Sequence, residues 1–159
     1  MSDLHEIYNT RIMELAAEIP RTDRLADPDV TATAHSKLCG STVVVDLKLE
    51  GDCVVDYGQT VKACLLGQSS ASVVGREIVG TSRDELVHVA DAMRDMLKAD
   101  GEGPDGRWAD LRVLQPVKAY RARHASTLLV FEALARAFAE HDAGSDATAT
   151  ADAEPALVG

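Results

Sequence analysis

The sequence predicts an α+β fold with an N-terminal helix, a small three-stranded antiparallel sheet and a C-terminal helical half. Apolar residues alternate over residues 41–49, and a turn at 50–52 leads into a second extended run at 53–63, which indicates a β-hairpin. Before and after this hairpin the apolar residues recur every three or four positions, which is typical of helices. The 159 residues are enough for one domain with its own core.

The first predicted element is an amphipathic helix over residues 3–19, which Ser2 or Asp3 would cap and Pro20 would end. Val30–Thr33 is rich in β-branched residues and predicts a short strand ahead of the hairpin. Together with the two hairpin strands it completes the three-stranded sheet.

Beyond the second hairpin strand, which we expect to be bulged near Gly58, the pattern changes to helical. Leu65–Val74 has the small and apolar residues of a buried helix. Ser82 and Glu85 form a capping-box pattern that starts a helix running to about Ala99.

The last third of the chain predicts a short helix over residues 107–117 and a final helix over His124–Phe138. We divide the chain into a domain at residues 1–141 and a disordered, acidic, Ala-rich tail at residues 142–159. The tail offers too little apolar surface to offset the entropy of ordering it.

Charge excludes some classes of partner. Sixteen Lys and Arg against 26 Asp and Glu give a net charge of −10, and an acidic domain is poorly suited to nucleic acid. No apolar run reaches the ~20 residues that a membrane span needs, and the N-terminus lacks the layout of a signal peptide. We therefore expect a cytoplasmic protein that binds neither nucleic acid nor membrane.

Cys39, Cys53 and Cys64 cannot all pair within one chain, so reduced thiols suited to metal or sulfur chemistry are expected. Cys39 precedes the strongest strand and is followed by Gly40, which leaves room around the sulfur. Cys64 lies where a strand passes into a helix, and the positive end of the helix dipole favours a thiolate there. Cys53, at the start of a strand, is interpreted as structural.

His124 begins the last predicted helix, and it is a candidate metal ligand if the fold brings it close to Cys39 and Cys64. Imidazole and thiolate ligands together suit zinc and iron–sulfur centres. The alternative is that His124 caps the helix or lies on the surface and binds no metal.

These features together resemble the IscU/SufU/NifU N-terminal family of iron–sulfur cluster assembly scaffold proteins. The resemblance rests on Cys39-Gly40-Ser41 before a strand, the hairpin, and Cys64 opening an Ala/Ser/Gly helix 25 residues later. It covers about residues 3–140 and implies a SufE/NifU-like fold. The sixty residues between Cys64 and His124 are similar to the spacing in SufU.

The chain departs from the family pattern at two positions. Ser41 stands where the family has aspartate, and the third family cysteine falls on His124 or on Ala125, depending on whether SufU or IscU guides the alignment. In either alignment no thiol remains, and His124 is the only metal-competent side chain in the segment. The resemblance therefore implies Cys39, Cys64 and His124 as metal ligands, with Ser41 and Arg121 beside them.

The resemblance implies a scaffold, not an enzyme, in which Cys39 and Cys64 accept sulfur from a cysteine desulfurase. The chain would then bind iron or a nascent [2Fe–2S] cluster and pass it to iron–sulfur acceptor proteins, as a monomer or weak homo-oligomer. The nearest alternative is a zinc-bound, SufU-like sulfur-transfer partner of a desulfurase. A cysteine hydrolase using His124, and a member that only binds partner proteins, are the remaining alternatives.

Overall fold

The structure is a computed structural model that describes residues 9–37 and 40–150, and it confirms the predicted α+β class. In chain order the elements are helix α1 (Thr10–Ala17), strands β1 (Val30–His35), β2 (Thr42–Glu50) and β3 (Cys53–Lys62), helices α2 (Leu65–Glu77) and α3 (Arg83–Lys98), 3₁₀ helices at Gly106–Ala119 and Arg121–Arg123, and helix α4 (His124–Thr150).

The three strands form one antiparallel sheet in the order β1-β2-β3, as the sequence predicts. The register shift lies between Lys48 and Leu49, so the expectation of a bulge near Gly58 is wrong. Gly58 has a different role, because a Cβ there would stand 2.4 Å from the backbone oxygen of Asp23. The glycine lets the segment before β1 pack directly on the sheet.

Helix α1 begins later than predicted. The side chain of Asn9 accepts a hydrogen bond from the backbone N–H of Ile12 at 2.9 Å, and Asn9 itself is extended. Asn9 is therefore the N-cap, so one continuous helix from residue 3 is wrong. The predicted caps Ser2 and Asp3 lie outside the described residues.

The start of α3 is confirmed, since the Ser82 hydroxyl accepts a hydrogen bond from the N–H of Glu85 at 3.2 Å. The predicted short helix at 107–117 is instead a 3₁₀ helix, Gly106–Ala119, with Pro116 inside it. Its buried residues lie three apart, which is the period of a 3₁₀ helix and not that of an α-helix; they are Trp108, Leu111, Leu114 and Val117.

Helix α4 packs across β1 and β2 and against α2 and α3, and the core lies between these layers. The core is centred on fully buried side chains that include Leu47, Tyr57, Leu66, Met93 and Leu129. Among the described residues, none of the helices has the length and apolarity needed to cross a bilayer.

Helix α4 is longer than the predicted 124–138 and passes residue 142, where we expected the disordered tail to begin. Asp142 is helical and forms an ion pair with Arg83 at 2.6 Å, which holds this turn against α3. Residues 151–159 lie outside the described residues, and the division of the chain at 141 and 142 stays a prediction.

Candidate functional site: the sheet end around Cys64

The register of the hairpin brings two predicted site segments to the same end of the sheet. Thr42, the first residue of β2, pairs with Lys62, the last residue of β3. Gly40 and Ser41 come directly before Thr42, and Cys64 comes two residues after Lys62. Strand pairing alone therefore places Gly40 and Ser41 at the same end of the sheet as the start of α2.

Two backbone hydrogen bonds join Ser36 to Gly40 and Ser41 ahead of β2. The N–H of Ser36 donates to the oxygen of Ser41 at 2.9 Å, and the N–H of Gly40 donates to the oxygen of Ser36 at 2.8 Å. Gly40 has a φ of +73°, a conformation that favours glycine. Ser41 is buried, and Cys39 lies outside the described residues.

Cys64 is the N-cap residue of α2, a helix of 13 residues, and its side chain makes no capping hydrogen bond to the helix. The thiol is free and partly buried. Its Sγ lies 3.2 Å from the hydroxyl oxygen of Ser126, near the start of α4. The sulfur therefore lies at the start of a helix and within hydrogen-bond distance of a hydroxyl group.

Gly67 makes this contact possible. A Cβ on Gly67 would stand 2.8 Å from the Cβ of Ala63 and 2.9 Å from the backbone oxygen of Ser126, closer than packed atoms approach. The missing side chain lets the first turn of α2 lie directly against the start of α4. The small residues after Cys64 thus bring Cys64 and Ser126 together.

The structure places His124 elsewhere. The imidazole is 4% exposed, and its Nε2 lies 3.1 Å from the oxygen of Val117 and 3.2 Å from the oxygen of Lys118. Both partners are acceptors, so Nε2 carries the proton and donates. Nδ1 is left to accept from the ammonium of Lys98, at 3.5 Å.

Helix geometry explains why His124 and Cys64 are not in contact. Successive residues turn by about 100°, so residues two apart face nearly opposite sides of a helix. Ser126 faces Cys64, and His124 therefore faces α3 and the 3₁₀ helix. Arg121, in the 3₁₀ turn before α4, is exposed on the same side as His124, because both line one groove.

Ser126 is not among the predicted site residues, because a serine hydroxyl is a weak metal ligand beside cysteine and histidine. The angular separation of residues 124 and 126 was a signal that could have identified it. Among the residues that the structure describes, no three His, Cys, Asp or Glu side chains form a group that could hold a metal ion. The set Cys39, Cys64 and His124 includes a residue outside that part of the chain and stays a prediction.

Cys53 lies at the opposite end of β3 from Lys62. Ten residues of extended chain separate the two ends by about 30 Å. The Cys53 thiol is partly buried and contacts the backbone oxygen of Val54 at 3.9 Å. Cys53 is thus an internal control, a free cysteine remote from the candidate site.

The chain is similar to proteins of iron–sulfur cluster assembly along nearly its whole length. The "Zinc-dependent sulfurtransferase SufU" of Bacillus subtilis is 23% identical over 144 residues, which cover 91% of this chain and 97% of SufU. The "Iron-sulfur cluster assembly scaffold protein IscU" of Thermotoga maritima is 25% identical over 132 residues, which cover 82% of this chain and 92% of IscU. No family model matches the chain.

Solved structures give a closer likeness. The N-terminal part of a NifU-like protein from Brucella abortus is 50% identical and superposes with a TM-score of 0.86, covering 89% of this chain and 98% of that one. A scaffold protein of the SUF system from Fervidobacterium islandicum superposes with a TM-score of 0.76 at 22% identity, covering 84% of this chain and 97% of that one. This second likeness shows the fold alone.

Proposed function

The chain belongs to the IscU/SufU/NifU family of iron–sulfur cluster assembly scaffold proteins, and from this we propose that Cys64 and Cys39 accept sulfur from a cysteine desulfurase. The chain then binds iron or a nascent [2Fe–2S] cluster as cargo and passes it to acceptor proteins. As a scaffold of this family it is not an enzyme, although accepting and passing on sulfur resembles a sulfurtransferase step.

The setting of the Cys64 sulfur carries this proposal. Sγ lies at the start of a helix, 3.2 Å from the Ser126 hydroxyl, and at the end of the sheet where Thr42 pairs with Lys62. A thiolate is the form of cysteine that attacks sulfur and binds soft metals. Because the site lies on turns and helix starts, a partner protein can reach it.

The transfer step follows from thiol–disulfide chemistry. The Cys64 thiolate attacks the outer sulfur of the persulfide on the desulfurase, and the sulfur–sulfur bond of the donor breaks. The donor cysteine leaves as a thiolate, and Cys64 becomes the persulfide. No net oxidation occurs, because one persulfide replaces another.

The proposed ligands are Cys39, Cys64 and His124, with Ser41 and Arg121 beside them. Two thiolates supply the soft donors that iron and zinc take in proteins. His124 would first have to give up the hydrogen bonds of Nε2 to Val117 and Lys118, or that of Nδ1 to Lys98. Metal retention by a His124 variant tests this role directly.

A zinc-bound sulfur-transfer protein is the second candidate. It is favoured by the likeness to SufU, which is named a zinc-dependent sulfurtransferase and matches over 91% of this chain. The zinc would be held by the same cysteines and would stabilise the acceptor thiolate at neutral pH. Among the described residues, the polar side chain in contact with the Cys64 sulfur is that of Ser126. Its hydroxyl is a weaker zinc ligand than a thiolate or an imidazole.

The deciding experiment measures iron, zinc and acid-labile sulfide in protein purified without oxygen. We expect Cys39→Ala, Cys64→Ala and His124→Ala each to lower metal retention. Cys53→Ala is the matched control, and it should retain metal because Cys53 lies about 30 Å away along β3. Equal loss in all four variants, or in none, would contradict the proposed site.

Two further results separate the candidates. A brown protein after anaerobic reconstitution with iron and sulfide indicates a cluster scaffold. About one zinc per chain without visible absorbance indicates the zinc protein. Transfer of ³⁵S from a cysteine desulfurase tests the sulfur-acceptor role itself, which requires label on Cys64 or Cys39 and none on Cys53.

A further inference from the structure

A groove runs between α3 and α4, on the side of α4 that does not face Cys64. The two helices are antiparallel, because Lys98 at the end of α3 contacts His124 at the start of α4, and Arg83 at the start of α3 contacts Phe138 and Asp142. The groove has a volume of about 550 Å³, in the range of small-molecule sites. Its walls are mainly apolar, with Leu86, Val87, Ala90, Leu128, Leu134 and Phe138.

One end of the groove is cationic. Lys98 and Arg121 line it there, and neither forms an ion pair with any carboxylate in the part of the chain that the structure describes. Lys98 contacts only the imidazole of His124, so its ammonium has donors to spare. Two exposed, unpaired cations beside an apolar groove are unexpected in a chain with a net charge of −10.

The other charged groups of the groove are already neutralised. Arg94 contacts Asp91, and Glu132 lies 2.9 Å from Arg136. The charge that remains for a ligand is therefore positive and confined to the end near His124. From Leu86 to Lys98 the apolar wall of α3 extends twelve residues, or about 18 Å.

We propose that this groove binds a single-chain aliphatic carboxylate, a fatty-acid-like anion, with its carboxylate on Lys98 and Arg121 and its chain along α3 and α4. An arginine fork and an ammonium are the groups that bind carboxylates most directly. The apolar walls bury the chain, and Val87, which is 51% exposed, marks the open rim. Binding uses neither thiol, but it shares Arg121 with the proposed metal site, so the test below is made on metal-free protein.

The groove also adjoins the candidate site. His124 and Ala125 line it, while the next residue, Ser126, contacts Cys64. A ligand head at the cationic end would lie within two residues of the Ser126–Cys64 contact along α4.

The test uses laurate on metal-free Cys64→Ala protein, with dodecanol and dodecyltrimethylammonium as matched probes, all below their micellar concentrations. Isothermal calorimetry should show one laurate per chain. Laurate should bind at least about tenfold more tightly than either the alcohol or the cation, because neither probe can make the charge-assisted contacts of the carboxylate and one such contact is worth about that factor. Absence of laurate binding, or equal binding of all three probes, would overturn the proposal.

Variants locate the site. Lys98→Gln and Arg121→Gln should each weaken laurate binding about tenfold and leave dodecanol binding unchanged. Arg112→Gln is the control, since it removes an exposed cation that does not line the groove. Ala135→Trp fills the groove and should abolish binding of both probes while the melting temperature shows that the protein is folded. Unchanged laurate affinity in all of these variants would place the ligand elsewhere and defeat the proposal.

Discussion

The Sγ of Cys64 and the hydroxyl oxygen of Ser126 lie 3.2 Å apart, although the two residues are 62 positions apart in the chain. The contact joins the start of α2 to the start of α4, so two helix N-termini converge on one sulfur. The Ser126 hydroxyl also lies 3.4 Å from the backbone oxygen of Arg123. When Cys64 is a thiolate it cannot donate, and Ser126 must then give its single proton to the sulfur.

Removing this hydroxyl should slow the chemistry of Cys64. We expect Ser126→Ala to reduce the rate of iodoacetamide alkylation at Cys64 by about three- to tenfold, because one hydrogen bond contributes about 1 kcal/mol. Peptide-resolved mass spectrometry measures the rate separately for each cysteine. Ser126→Thr keeps the hydroxyl and should restore the rate, and the rate at Cys53 should not change. A rate at Cys64 that Ser126→Ala leaves unaltered would show that the contact has no chemical effect.

Gly67 should tolerate no side chain. Gly67→Ala introduces a methyl group 2.8 Å from the Cβ of Ala63 and 2.9 Å from the backbone oxygen of Ser126, so we expect a loss of about 1–3 kcal/mol in the free energy of unfolding. Denaturant unfolding measures the loss. The double variant Ala63→Gly/Gly67→Ala relieves one of the two clashes and should recover part of the stability. A fully stable Gly67→Ala protein would contradict this close approach of α2 and α4.

Asp46 should make the stability of the fold dependent on pH in the acid range. Burial raises the pKa of its carboxyl, but hydrogen bonds from Arg24, Thr31 and the N–H of Leu25 outweigh burial and hold the pKa below its ordinary value. A lowered pKa stabilises the folded state above the unfolded value of about 4, and this contribution is lost as the pH falls through the native value.

Asp46→Asn should therefore cost about 1–3 kcal/mol at neutral pH, because the buried carboxylate loses its charge and one of its two acceptor oxygens becomes an NH2 group that faces donors. The difference in unfolding free energy between the native chain and this variant should be constant above about pH 5 and should shrink below about pH 4. Urea unfolding at a series of pH values measures it. A difference in unfolding free energy that grows as the pH falls would contradict a lowered pKa of Asp46 in the folded state.

His124 should contribute to stability whether or not it binds metal. His124→Ala removes the buried hydrogen bond that Nε2 donates towards the carbonyl oxygens of Val117 and Lys118, and we expect a loss of about 1–3 kcal/mol in unfolding free energy in the presence of EDTA. His35→Ala is the control, since His35 is exposed and should change the stability by less than about 0.5 kcal/mol. If His124→Ala is as stable as the control, then its loss of metal in the retention experiment can be assigned to ligation alone.

Local patterns were sufficient for much of the fold. The hairpin followed from alternation, the start of α3 from Ser82 and Glu85, and the position of Cys64 from the change of period after β3. Each of these signals depends on residues a few positions apart, whose backbone preferences do not need the rest of the chain. Two predictions were wrong. Asn9 caps the first helix where a continuous helix was expected, and at Gly58 a distant segment packs closely on the strand where a bulge was expected.

Residue patterns along the chain were enough to assign the fold class and to identify Cys64 as a thiol at a helix start. Which side chains meet depends on how the helices and the sheet pack together. This packing paired Cys64 with Ser126 and turned His124 towards Lys98, because the rotation of α4 is fixed by the apolar residues that it buries against the sheet and the other helices. Contacts between residues 62 positions apart depend on how whole helices pack, and no pattern within a single helix encodes the orientation of its neighbour.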